Sequence, residues 1–330
     1  MNGSLAPLLE SFFVDRLLDQ RQASAHTIAA YRDAFRLLLR FAHTSTGKQP
    51  HKLDLVDLDA TLVGAFLSML ETERGASART RNARLAAIRS FFSYAAFQRP
   101  ENAALIQRVL AIPMKRTSTT LVTFLTEDEA DALLAAPNLD TWTGRRDRAL
   151  LLVAIRTGLR VSELTALRCG DVRFGTGTHL TCQGKGRKQR ITPLDKSTRT
   201  VLELWLRERA GAADGPVFPG PSGRPLTRDA VRRIVDRHVH NGIHICPSLD
   251  RGGISPHTLR HTCAMRLLHA GVDIAVIALW LGHESTRTTQ IYLHADLAIK
   301  QRALDRTVAP ESKPGRYHPT DPMLAFLERL

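Results

Sequence analysis

From Ile112 to Phe124 the chain reads IPMKRTSTTLVTF, and helical periodicity stops there. A proline, two adjacent bases and a Ser/Thr run cannot set an apolar residue every third or fourth position, so one helical core cannot continue through this stretch. The segment 112–124 predicts a linker between two domains, 1–111 and 125–310, with a separate C-terminal segment at 311–330. A chain of 330 residues is long enough to bury two cores of its own.

Before the linker the pattern is helical. Leu8, Phe12, Phe13, Leu17 and Leu18 recur at helical spacing, as do Ile28, Tyr31, Phe35, Leu38 and Leu39, and then Leu62, Phe66 and Leu70. RTRNARLAAIRSFFSYAAF sets Leu85, Ile88, Phe92 and Ala95 on one side of a further helix and leaves Arg79, Arg81, Arg84 and Arg89 to project elsewhere. Those arginines are candidates for tracking a DNA backbone; the alternative is a solvated helix face, since charge on helix surfaces is ordinary.

After the linker the organisation changes. Thr126 and Glu129 have capping-box spacing and predict a helix start. A helix over Arg146–Thr157 should stop at Gly158, which suits the left-handed cap conformation, and this puts Arg160 in the tight connection to the next helix. HLTCQGKGRKQRITPL, from His179 to Leu194, reads as two short strands around a Gly-Lys-Gly-Arg turn that carries Lys185, Arg187 and Lys188. Helices are expected at about 196–210, 227–240, 257–270, 273–281 and 286–306. The fold class is therefore mainly α with a small β-sheet in the second domain, an α+β arrangement.

Charge narrows the partner. There are 46 Lys+Arg against 32 Asp+Glu, a net charge of +14, and the chain is basic on both sides of the linker. Two basic lobes suit a polyanion, double-stranded DNA first of all, although a basic surface can also serve solubility alone. Cys169, Cys182, Cys246 and Cys263 form no CxxC pair, MNGSLAPLLESFF lacks the basic start of a leader, and the apolar run Ala149–Ile155 is too short to span a bilayer. The expectation is a cytoplasmic protein with free thiols and no membrane partner.

The chemistry concentrates in SPHTLRH, LWLGHES and TTQIYLH, which hold His257, Arg260, His283 and Tyr292. His257 and Arg260, one helical turn apart, project towards a common point. Arg160 and Arg260 could each grip non-bridging phosphate oxygens through a planar fork, with no metal or other cofactor required. Tyr292 could attack the phosphorus. A free phenol has a pKa of about 10, so only roughly one in a thousand is ionised at neutral pH, and nearby Arg and His must favour the phenolate or take its proton. Lys185 on its turn is the candidate general acid for the departing sugar oxygen, and Glu163 is placed to orient Arg160.

Each element alone is weak, but their order is not. TGLRVSEL, GKGRKQRITPL, SPHTLRHTCA and LGHESTRTTQIYLHA together resemble the catalytic boxes of the tyrosine recombinases, the phage-integrase family, and most closely its Xer-like branch. The match covers about 125–306; SAHTIAAYRDAF and TRNARLAAIRSFFSYA look like the helical core-binding domain that precedes the catalytic domain. The resemblance implies that Arg160, Lys185, His257, Arg260 and His283 are catalytic and Tyr292 is the nucleophile. It implies a covalent 3'-phosphotyrosyl intermediate, inverted-repeat target sites, and four protomers, of this chain or of a related recombinase, passing through a Holliday junction. The loop PSLDRGGI and the length of the chain after Tyr292 depart from a compact Xer protein and tilt the role towards a mobile element and transposition. As in the family, 311–330 is expected to contact a neighbouring protomer.

Other readings stay open at this point. HVHNGIHIC, with His238, His240, His244 and Cys246, invites a zinc site, against surface histidines and a buried thiol. Tyr31 and Tyr94 fall on apolar stripes and read as core, and Tyr317 lies in a polar tether. A type IB-like topoisomerase would share the chemistry without a partner strand; a catalytically idle DNA-binding accessory protein would share the scaffold alone.

Overall fold

The structure, a computed structural model, describes residues 4–117, 122–184, 189–283 and 288–292. The chain divides into two compact units, Met1–Thr119 and Thr120–Leu330. Among the described residues no helix is long and apolar enough to cross a membrane.

The first unit is built from helices. α1 (Leu5–Ser11) runs directly into a π-helical stretch, Phe12–Gln20; α2 (Ala25–Thr46), α3 (Ala60–Thr72), α4 (Ala78–Gln98) and α5 (Ala103–Leu110) follow. Three starts are fixed by side chains that accept free backbone amides: Ser24 from Thr27, Asp59 from Leu62 and Ser77 from Thr80. Gly47, in the left-handed region at φ 72°, ends α2. Phe12 is fully buried, with the rings of Tyr31, Phe35, Phe91 and Tyr94 centred 5.5–6.3 Å away. Truncating such a ring costs about 3–5 kcal/mol. The Tyr94 hydroxyl shares a 2.6 Å hydrogen bond with Ser11, so Tyr31 and Tyr94 belong to this core.

The second unit starts with the expected capping box: Thr126 N donates to Glu129 Oε2 (2.9 Å) and Glu129 N to Thr126 Oγ1 (3.2 Å). Its described helices are α6 (Glu127–Ala135), α7 (Trp142–Thr157), α8 (Val161–Ala166), α9 (Lys196–Arg209), α10 (Arg228–Gly242), α11 (Pro256–His269) and α12 (Ile274–Leu281). α7 is the central post. Its residues Ala149–Ile155 are all buried, with α9 and α11 packed against it. Strands β1 (Val172–Arg173), β2 (His179–Gln183) and β3 (Gln189–Pro193) form one antiparallel sheet in the order β1-β2-β3. β2 buries Leu180 and Cys182 in alternation, the period-two pattern of a half-buried strand. β1 was not expected, because two residues carry no readable periodicity. Of the helix expected at 286–306, only 288–292 lies within the described residues.

The HVHNGIHIC segment calls for a correction. His238 is not a surface residue: it is buried on α10, and its Nε2 meets Asp147 Oδ2 at 2.9 Å, while Cys246 is only partly buried. Asp147 is also held by Arg146 through two hydrogen bonds of 2.9 and 2.7 Å, so the buried charges compensate one another. His240 and His244 face outward. Among the described residues no group of three or more His, Cys, Asp or Glu could hold a metal ion.

Candidate active site

Two helix ends create the site. α7 stops at Gly158 (φ 63°) and α12 at Gly282 (φ 65°), both in the left-handed region, and the last carbonyls of a helix have no partner within it. Arginines take them. Arg260, buried on α11, donates from Nη1 to Gly158 O (2.6 Å) and from Nη2 to Leu281 O (2.7 Å). Arg160, at the N-cap of α8, donates from Nη2 to Gly282 O (2.9 Å). Two guanidinium groups thus bind consecutive carbonyls at one negative helix terminus, which brings residues from three distant chain segments side by side.

One carboxylate locks this arrangement. Glu163 Oε1 accepts from Arg160 Nη1 (2.9 Å) and Glu163 Oε2 from the Arg160 amide (2.7 Å). Arg190, from β3, donates to the same two oxygens at 2.8 Å each. Burial alone would raise the Glu163 pKa, but the hydrogen bonds from Arg190 and the Arg160 backbone prevail and hold it below the ordinary carboxylate value. Two arginines on one carboxylate, with Arg260 held nearby by carbonyls, leave surplus positive charge in a partly desolvated place, a preorganised site for an oxyanion. Burial, and then the neighbouring Arg160, lower the Arg260 pKa to about 10, so the group is still cationic at neutral pH.

The histidines stand around this charge. His257 is exposed at the mouth; partial burial of its ring, then Arg260 and Arg160, lower its pKa. His283 follows Gly282, shares a 2.7 Å hydrogen bond with Thr289 through Nδ1, and is brought down to about 4 by burial and then by Arg260. Tyr292 is 1% exposed, packed with Ala264, Met265, Ile277 and Leu281. Its hydroxyl shares a 3.0 Å hydrogen bond with His261 Nδ1, and burial pushes its pKa up to about 12.

The structure therefore gathers Arg160, His257, Arg260, His283 and Tyr292 around the ends of α7 and α12. Lys185, Arg187 and Lys188 lie outside the described residues, between Gln183 and Gln189, which pair across β2 and β3. Tyr317 and the segment 311–330 also lie outside them. Two site residues were missed in the sequence. Arg190 falls on the same strand face as the buried Thr192, a signal readable from the period-two pattern; His261 lies one helical turn after His257.

The four arginines of the first unit separate. Arg79 is exposed on α4, and Arg89 is half-buried. Half-buried Arg84 donates to Ala30 O at 2.9 Å. Arg81 is a correction: at 7% exposure it does not project from the helix surface. Its guanidinium donates to Pro113 O (3.1 Å) and lies 3.7 Å from Glu71, tying α4 to the segment after α5.

The chain is similar to known proteins in both sequence and fold. Residues 123–298 match the model of the phage integrase family, and residues 11–99 match that of the phage integrase N-terminal SAM-like domain. The chain is 55% identical to the integrase/recombinase y4rC of Sinorhizobium fredii, itself provisionally named, over 100% of this chain and 99% of that one. It is 36% identical to the tyrosine recombinase XerC of Pelobacter propionicus, over 92% and 96% of the two chains. The fold is shared with the XerH site-specific recombinase bound to its palindromic difH substrate, at TM-score 0.69 and 24% identity over 87% of this chain and 81% of that one. It is shared too with lambda integrase bound to a core site, at TM-score 0.65 and 19% identity over 94% and 81%.

Proposed function

Since the chain belongs to the phage integrase family and is a tyrosine recombinase of Xer-like type, we propose that Arg160, Lys185, His257, Arg260 and His283 are its catalytic residues and Tyr292 its nucleophile. The Tyr292 oxygen attacks the scissile phosphorus as its proton passes to His257, the bond from phosphorus to the 5' oxygen breaks, and a 3'-phosphotyrosyl bond forms. The departing 5' oxygen takes its proton from Lys185. Attack by a 5' hydroxyl from a partner duplex reverses the step and reseals the strand, with no net loss of phosphodiester bonds. Residues 1–111 act as the core-binding domain, 112–124 as the linker and 125–310 as the catalytic domain. Four protomers exchange strands between two inverted-repeat sites through a Holliday junction, in the cytoplasm, with mobile-element transposition as the favoured setting.

One observation carries this reading: Arg160 and Arg260 are fixed to consecutive carbonyls, of Gly282 and Leu281, beside the histidine that follows them. That is a rigid oxyanion clamp of the kind phosphoryl transfer needs. The test begins with a duplex selected from a randomised pool by binding to the full chain, then nicked near the cleavage position. The expected result is a covalent protein–DNA adduct on a denaturing gel, mapped by peptide mass to Tyr292. No adduct, or one mapped to Tyr317, overturns the assignment.

A further inference from the structure

The mechanism above leaves His261 without a task. It lies on α11 next to Arg260, with its ring 5.6 Å from that of His257 and 5.5 Å from that of Tyr292. The approach to Tyr292 is polar as well as apolar, because Nδ1 lies 3.0 Å from the Tyr292 oxygen. A buried hydroxyl needs a partner, and among the described residues this nitrogen is the partner that Tyr292 Oη has.

We propose that His261 is a positioning residue for Tyr292: its Nδ1 accepts the phenolic hydrogen bond and holds the nucleophilic oxygen in a fixed direction until the scissile phosphate arrives. The inference rests on the assignment of Tyr292 as the nucleophile and deepens it. A neutral imidazole has one accepting nitrogen, and a protonated one has none. Burial, then His257 and Arg260, bring the His261 pKa down to about 4, so the ring is neutral at working pH and its acceptor is available. Burial holds the phenol at about 12, and so wide a separation keeps the proton on oxygen. His261 therefore orients the hydroxyl and does not deprotonate it. When phosphate enters between Arg160 and Arg260, the hydroxyl leaves this acceptor, its proton passes to His257 and its oxygen bonds to phosphorus.

The experiment compares full-length His261→Phe, His261→Asn and His261→Gln with wild type in single-turnover cleavage of the selected, nicked duplex. Phe keeps the ring packing without the acceptor; Asn places an amide near Nδ1, and Gln near Nε2. Loss of alignment costs about ten- to a hundred-fold in rate. The expectation is that His261→Phe cleaves slower by that factor at unchanged DNA affinity, and that His261→Asn recovers most of the loss and outpaces His261→Gln. The defect should persist on a substrate with sulfur at the bridging 5' position, whose thiolate leaves without a proton. Wild-type cleavage by His261→Phe, equal rates for Asn and Gln, or a defect that disappears with the sulfur substrate each overturn the proposal. Should the Phe variant fail to fold, the Asn–Gln pair decides. Tyr292→Phe on the same duplex tests the underlying assignment separately: an adduct surviving there sinks the nucleophile, whereas its loss alongside unimpaired His261 variants sinks only this inference.

Discussion

Arg190 meets Glu163 fork to fork, Nη1 to Oε1 and Nη2 to Oε2, each at 2.8 Å. Because the same carboxylate also holds Arg160, one acidic side chain sets the direction of two cations. Glu163→Gln keeps the shape and removes the charge, leaving three buried or half-buried arginines less compensated. The expected outcome is a fold destabilised by about 3–5 kcal/mol, the usual cost of breaking a buried pair, with DNA cleavage slowed more than DNA binding is weakened. Chemical denaturation and single-turnover cleavage measure the two effects.

The same residue gives a pH signature. The Glu163 carboxyl is depressed below its ordinary 4.5, so the stability it contributes is present above that value and is lost as pH falls through the lower, folded-state value. The wild type should lose stability on acidification below about pH 4.5, and Glu163→Gln should lose less over that window. Parallel curves for the two proteins would refute the coupling.

Gly282→Ala should damage the site from the backbone side. The residue sits at φ +65°, where an added Cβ is strained, and that Cβ would lie 2.9 Å from Arg190 Nη1. The left-handed conformation alone costs about 1–2 kcal/mol. A lower melting temperature together with reduced cleavage is expected; unchanged cleavage would show that Arg190 can move away freely.

In the first unit the arginines should part company experimentally. Arg79→Ala, at an exposed position, should weaken DNA binding and flatten its salt dependence by about one unit for each phosphate left without its cation. Arg81→Ala should instead lower stability by about 1–3 kcal/mol, because it frees the carbonyl of Pro113 and leaves Glu71 with Lys115 alone. Salt titrations of binding and denaturant melts separate the two effects. A salt slope that changes with Arg81→Ala and not with Arg79→Ala would reverse the assignment.

Cleavage should need no divalent metal, since Arg160, Arg190 and Arg260 already supply positive charge where a phosphorane develops it. The check is cleavage of the nicked duplex in excess EDTA. Activity lost to chelation and restored by magnesium would refute it.

Much of this was legible in the chain. The Thr126–Glu129 cap and the stop at Gly158 follow from local chemistry, since capping and left-handed glycine each act within a few residues, whereas Arg160, His257, Arg260 and His283 were read as a set from ordered motifs that resemble the family's boxes. The misses share the opposite property. Arg81 reads as surface because its partners, Glu71 and the Pro113 carbonyl, come from other elements, and His238 reads as surface because Asp147 lies on another helix. Likewise, nothing local to Arg190 points to Glu163, and nothing local to His261 points to Tyr292. Periodicity reveals which way a side chain faces, but its partner is set by tertiary packing.

The carbonyls of Gly158, Leu281 and Gly282 hold the two clamp arginines, and the last of them is among the later described residues of the chain. A nascent polypeptide that has emerged only as far as α11 already carries both arginines, but it lacks the helix end that aims them. The clamp is therefore completed late, when α12 docks, and Tyr292 comes later still in the chain. A copy that stops short of α12 would carry both cations but neither the Leu281 and Gly282 carbonyls that aim them nor Tyr292.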